Sequence, residues 1–166
     1  MQLPIDIDSV KGFLHPDEGA ALYQYAQASA SLGPCLELGS YCGKSTVYLG
    51  TAARDADGQV FAVDHHRGSE EHQLGEEYHD PELFDATVQR MASLPTLRHT
   101  LSQAELEPWV VPVVAASAQA SKYWSIPLGM VFIDGGHSVQ AAVTWQPLPP
   151  FLQRPQSRPR RSVLHS

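Results

Sequence analysis

Cysteine is nearly absent from this chain. Cys35 and Cys42 are the only two in 166 residues and they do not form a Cys-x-x-Cys pair, which excludes a disulfide scaffold. Cys35 reads as a buried strand residue and Cys42 as a small loop residue. Long apolar runs are missing too. Nowhere do about 18 consecutive apolar residues occur, and the opening MQLPIDIDSV carries two acids, so neither a membrane span nor a secretory signal is predicted. The chain is expected to be cytoplasmic, without a membrane partner. Basic residues are scarce where they would matter: residues 1 to 153 hold 18 acids against seven Lys and Arg, a balance of −11 inside an overall charge of −7. Nucleic acid is therefore excluded as a partner, because phosphate binding needs Lys and Arg neutralisation. Acids in turn are absent after Asp134, where the last 13 residues contain Arg154, Arg158, Arg160 and Arg161.

What is present is an alternation of short apolar runs and helical periods over one domain's length. Pro16, Asp17 and Glu18 suit a helix start, and Gly33-Pro34 ends that helix. Strands are predicted at Cys35–Leu38, Gln59–Asp64, Trp109–Ala115 and Leu128–Asp134. Helices are predicted at Lys44–Arg54, Glu82–Leu94, Thr96–Leu106, Ala116–Trp124 and Ser138–Gln146, with Pro95 splitting the second and third. Pro112 would remove a ladder donor and so places its strand at a sheet edge. Both-face apolar strands separated by helices mean an α/β fold with a parallel sheet covered on two sides. The segment HHRGSEEHQLGEEYHDP, residues 65 to 81, is long, polar and aperiodic, and reads as a solvated loop, of a length that is usually functional or disordered, with His65, His66, His72 and His79 on it. The domain is bounded at residues 1–146, and the Pro/Arg-rich tail 147–166 is expected to be disordered.

Three of the four predicted strands end in or beside a carboxylate: Glu37, Asp64 and Asp134. Ligands of open α/β sheets lie outside the carboxyl ends of the strands, so these acids should converge on one crevice. The turn LELGSYCGKSTVYLG contains Gly43-Lys44-Ser45, but only three residues separate Gly39 from Gly43 where a phosphate loop needs four. Glu37 beside that turn also opposes a polyanion. A dinucleotide fingerprint fails as well, because Tyr41 occupies its second glycine position. What remains is Glu-x-Gly-x-x-x-Gly, followed by Asp64 at the next strand end, where a carboxylate can accept both hydroxyls of a ribose diol. Lys44 reads as an exposed residue of a first helical turn.

These residues resemble the class I S-adenosylmethionine-dependent methyltransferases. The runs VDHHRGSEEHQLGEEYHDP and VFIDGGHS narrow the likeness to the family-24 type, relatives of antibiotic-tailoring O-methyltransferases, over about residues 10 to 146. The resemblance implies a Rossmann-like sheet of order 3-2-1-4. It also implies cofactor-binding roles for Glu37, Gly39, Ser40 and Gly43 (methionine moiety), Asp64 (ribose), Ser117 (adenine edge) and Asp134 (near the transferred methyl). The cationic ammonium and sulfonium of S-adenosylmethionine suit an acid-lined crevice. The acceptor would be a small molecule, its nucleophile held about 3–3.5 Å from the methyl in line with the breaking bond, with His66 or His137 as the candidate base.

In several relatives an aspartate corresponding to Asp134 also binds a divalent metal with a second aspartate, but here that second position is Trp145. A hard cation needing about six oxygen ligands would be undersupplied, so no metal is expected. A complete domain of the family continues into strands five to seven, which residues 147–166 do not resemble, so the chain is expected to be C-terminally truncated. Its fourth strand would then be an apolar edge open to self-association. Three functional readings stay open: a methyltransferase, an inactive cofactor-binding remnant, and a nucleotide triphosphate enzyme using Gly43-Lys44-Ser45.

Overall fold

The structure, a computed structural model, describes residues 1–68 and 80–134. His72, His79, His137, Trp145, the predicted helix Ser138–Gln146 and the tail lie outside the described residues. Helix α1 (Pro16–Ser29) leads into β1 (Cys35–Leu38), followed by α2 (Lys44–Asp55) and β2 (Val60–Asp64). A hairpin of β3 (Phe84–Asp85) and β4 (Arg90–Met91) precedes α3 (Leu94–Gln103). The described part then closes with β5 (Val110–Val114), α4 (Ser117–Ser121) and β6 (Met130–Ile133).

Four of the strands form one parallel sheet in the order β5-β2-β1-β6, which is 3-2-1-4 when the hairpin strands are left out of the count. The predicted fold class is therefore observed. Pro112 sits opposite Ala62 on β5, which pairs only with β2 among the described residues, so its missing N–H interrupts no second ladder. On one face Cys35, Val60, Ala62 and Val110 pack beneath α1, α2 and α3, while on the other Leu36, Leu38 and Val63 pack with Phe61, Trp124 and Leu128. The strict alternation along β1 follows from the two-residue period of a strand.

Two predicted elements are corrected. No helix spans Glu82–Leu94: Asp80 Oδ1 accepts from Glu82 N at 3.0 Å, capping a tight 3-10 turn at Pro81–Leu83, and the hairpin follows. Leu83 and Met91, apolar positions that fit a helical period, instead bury against Cys42 from a turn and a strand. Pro95 does not split a helix either. It occupies the first turn of α3, where a proline sacrifices no intrahelical hydrogen bond.

At Gly19 α1 lies tightly against α2, since a Cβ there would overlap the ring of Tyr48, itself 3% exposed. Gly19→Ala gains about 1 kcal/mol of helix propensity. Forcing the methyl group against a buried ring costs about 1–3 kcal/mol. The packing cost outweighs the propensity gain, so the variant is expected to unfold at lower urea concentration than the parent. A midpoint raised by the substitution would mean that α1 and α2 separate more freely than this packing allows.

Candidate functional site

The sheet ladder continues one residue beyond the carboxyl ends of β1, β5 and β6, level with Asp64 at the end of β2. Gly39 N donates to Val63 O at 2.9 Å, Asp134 N to Leu38 O at 2.8 Å, and Ala115 N to Asp64 O at 3.1 Å. Asp134, Gly39, Asp64 and Ala115 are thereby set side by side along one rim. Ser117, the first residue of α4 and half-buried, follows two residues after Ala115 on the same rim. Leu38 and Val63 face the Trp124 side of the sheet, so strand alternation turns Glu37 and Asp64 to the α2 side, and Asp134 likewise follows Ile133. The three predicted acids do share one side, and both Asp64 and Asp134 act electrostatically on Glu37.

Glu37 is fully buried, and both carboxyl oxygens are engaged. Ser45 Oγ donates to Oε1 at 2.6 Å and Thr46 Oγ1 to Oε2 at 2.7 Å, both from the first turn of α2. Burial pushes the carboxyl up to about 7, the two hydroxyls oppose that rise, and the charges of Asp134 and Asp64 add to it. These hydroxyls are invisible to a motif reading. Their signal in the sequence is a pair of Ser and Thr residues eight and nine positions after the acid, on a helix that must face it.

Asp64 is held differently. Its Oδ2 accepts from Tyr41 N at 2.9 Å and its Oδ1 from His66 N at 2.7 Å, tying the turn after β1 to the turn after β2. Within the first turn Gly43 N donates to Ser40 O at 2.8 Å, and Gly43 takes a φ of +97° at the start of α2, with Leu97 pressed against the space a side chain would need. Ser40 is 2% exposed and its Oγ has no partner among the described residues. A buried hydroxyl without a partner is costly.

Two expectations about polar side chains are corrected. Lys44 is half-buried rather than exposed: its stem packs on Gly12 and Nζ lies 3.5 Å from the Gly12 carbonyl. His66 is not a solvated loop residue. It is 3% exposed, its Nδ1 lies 2.8 Å from Ser93 Oγ, and its Nε2 has no partner among the described residues, whereas His65 beside it is exposed as predicted. Desolvation lowers the proton affinity of the His66 imidazole and the charge of Asp64 partly restores it. Among the described residues no group of three or more His, Cys, Asp or Glu is arranged to hold a metal ion, and no helix is long and apolar enough to cross a membrane.

A family profile described as a methyltransferase domain matches residues 36–148. Solved structures share the fold at low identity. The cofactor-bound Rv0187 protein from MTB is 21% identical with a TM-score of 0.53, over 76% of this chain and 47% of that one. The O-methyltransferase from Bacillus cereus in complex with SAH is 20% identical with a TM-score of 0.50, over 74% and 46%. The O-methyltransferase TomG from Streptomyces achromogenes, involved in tomaymycin synthesis and solved with SAM, is 16% identical with a TM-score of 0.51, over 74% and 45%. The chain thus spans about half the length of the structures it matches.

Glu37 ionises near 4.5 when unfolded and near 7 when folded, so the native state holds the extra proton between those values. Stability is then full below the lower value and declines as pH rises through the window, by about 3 kcal/mol in all. Glu37→Gln keeps the shape and both hydroxyl partners but cannot ionise. Its stability, measured by urea unfolding at several pH values, should therefore gain on the parent protein by roughly that amount between about pH 5 and pH 8. A constant difference across that range would show that Glu37 ionises in the fold as easily as in water.

Proposed function

The chain belongs to the methyltransferase-domain family, and from that premise we propose that it binds S-adenosylmethionine at the rim formed by Gly39, Asp64, Ser117 and Asp134 and serves methyl transfer to a small-molecule hydroxyl. The observation that carries this reading is the convergence of Glu37, Asp64 and Asp134 on one side of the sheet, beside a buried Ser40 hydroxyl that lacks a partner among the described residues. Bound there, the cofactor supplies a sulfonium methyl open to displacement by an oxygen nucleophile.

The residues fit such a ligand. An ionised carboxylate offers about four lone-pair sites, and the two backbone donors on Asp64 use half of them, leaving room for the two hydroxyls of a ribose. Ser40 can donate to or accept from the polar end of an amino acid moiety, and the first turn with Gly39 and Gly43 lets backbone approach it closely. Ser117, on the rim beyond Asp64, is assigned to the adenine edge. Asp134 is assigned to the methyl end, where its charge favours a cation. His137, argued from the sequence, takes the acceptor's proton. His66 is the second candidate for that proton, and its backbone N–H supports Asp64.

Two observations weigh against a nucleotide triphosphate. Ser45 spends its hydroxyl on Glu37, and Lys44 is drawn to the Gly12 carbonyl. Calorimetric titration of the chain with S-adenosylmethionine, its demethylated product and ATP tests the proposal. Binding of the first two and not of ATP is expected, and Asp64→Asn should weaken both by about tenfold to a hundredfold, the worth of a charge-assisted hydrogen bond. Preferential ATP binding would overturn the assignment. Methyl transfer itself is tested with labelled donor against hydroxyl-bearing acceptors.

A further inference from the structure

The buried carboxyl of Glu37 does more in this crevice than fill space, in a role that rests on the cofactor assignment above. Both of its hydrogen-bond partners among the described residues are hydroxyls, Ser45 Oγ at 2.6 Å and Thr46 Oγ1 at 2.7 Å. A hydroxyl donates to a carboxylate and, after rotating, accepts from a carboxylic acid, so the same two contacts satisfy either protonation state. Backbone N–H groups or an arginine would have fixed the anion. Among the described residues, the charged groups that act on Glu37 are also carboxylates, Asp134 from the residue after β6 and Asp64 from the end of β2. Along its own strand Cys35 is a thiol pushed up to about 12, by burial first and by Glu37 second, and α2 contributes the two neutral hydroxyls. A third negative charge in a dry pocket beside two others is unfavourable until a positive charge arrives.

We infer that Glu37 is the residue by which the crevice distinguishes a cationic sulfonium ligand from its neutral thioether product: it keeps a proton in the absence of a cation and releases it when the sulfonium is bound. The carboxyl O–H bond breaks with its electron pair left on oxygen, and the proton passes to solvent. No oxidant, reductant or third reactant is needed. With the thioether, which carries the same ammonium and carboxylate but no charge on sulfur, Glu37 keeps more of its proton. Glu37 thereby acts through charge from beneath the rim, as a specificity-determining residue.

Calorimetry of both ligands with the full chain, at one pH in buffers of different ionisation enthalpy, counts the protons released. With the carboxyl up at about 7, close to half a proton per sulfonium ligand is expected at neutral pH, and less for the thioether. Affinity for the sulfonium ligand should rise up to about tenfold between pH 6 and pH 8 in the parent protein relative to Glu37→Gln. The ammonium of each ligand titrates identically against both proteins, so the difference belongs to Glu37. If the variant fails to fold, carbon-13 NMR of the side-chain carboxyl in the parent protein decides: the Glu37 midpoint should fall by about one pH unit or more with the sulfonium ligand and by less with the thioether. Equal proton release by parent and variant, or an unmoved midpoint in the saturated protein, overturns the inference while leaving the cofactor assignment intact. Absence of binding by both ligands overturns the assignment and the inference together.

Discussion

The carboxylate of Asp64 holds the upper rim of the sheet together. It stands at the end of β2 and accepts one backbone N–H from the turn after β1 and one from the turn after β2, at 2.9 and 2.7 Å. Both donors belong to residues in the left-handed region, Tyr41 at φ +46° and His66 at φ +57°, where a side chain costs on the order of 1–2 kcal/mol. Two such strained residues persist only if something over-determines them. The carboxylate does so for Tyr41 and His66 at once, and two charge-assisted hydrogen bonds of about 1.5–3 kcal/mol each are enough to offset both. The residue proposed to receive a ligand is thus already part of the framework that shapes the loops around it.

That constraint propagates outward through contacts of decreasing generality. His66, once turned inward, is clasped by Ser93 at the start of α3, whose N–H donates to the His66 carbonyl at 3.3 Å while its hydroxyl meets the ring at 2.8 Å. The turn after β2 is therefore fastened at both ends, to the glycine turn through Asp64 and to α3 through Ser93. Tyr41, on the opposite turn, packs with Cys42, Leu83 and Met91, which brings the β3–β4 hairpin against the back of the same loop. Lys11 spans Asp80 and Glu82 at the hairpin's entrance, joining the N-terminal segment to this assembly. Glu82 is exposed and Asp80 half-buried, so solvent screens these pairs in part and they supplement the apolar cluster and the Asp64 bonds.

Much of this architecture is legible in the residues alone. Leu36, Leu38 and Val63 read as strand interior because they lie in short apolar runs between turns, and the place of β5 at the edge of the sheet among the described residues follows from Pro112. Asp64 and Asp134 announce themselves by closing such runs. The hairpin is not legible, because Leu83 and Met91 obey a helical spacing and their actual burial depends on Cys42, far away in the chain. His66 defeats sequence reading for a related reason. A polar neighbourhood in sequence says solvent, and only the left-handed turn enforced by Asp64 reverses the direction of that one side chain. Glu37 stands out in the sequence as a ligand-contacting acid, and what the sequence does not announce is that each of its buried oxygens accepts a hydroxyl from α2.

The Gly-Lys-Ser sequence illustrates how a motif is emptied of its usual meaning by its surroundings. In a phosphate loop the lysine neutralises the ligand, the hydroxyl after it holds a magnesium ion, and the start of the helix presents its N–H groups to oxygen anions. Here the lysine lies over Gly12, the serine hydroxyl donates inward to Glu37, and Thr46 does the same on the next residue. The helix start faces a carboxyl group belonging to the protein itself. An added phosphate would meet the charges of Asp64 and Asp134 at that end of the sheet. Even screened, like charges about 4 Å apart repel by roughly 4 kcal/mol at an effective dielectric of about 20. A ligand with positive charge gains what a phosphate loses, so the feature that first suggests a nucleotide triphosphate becomes, once its side chains are followed, an argument for a cation.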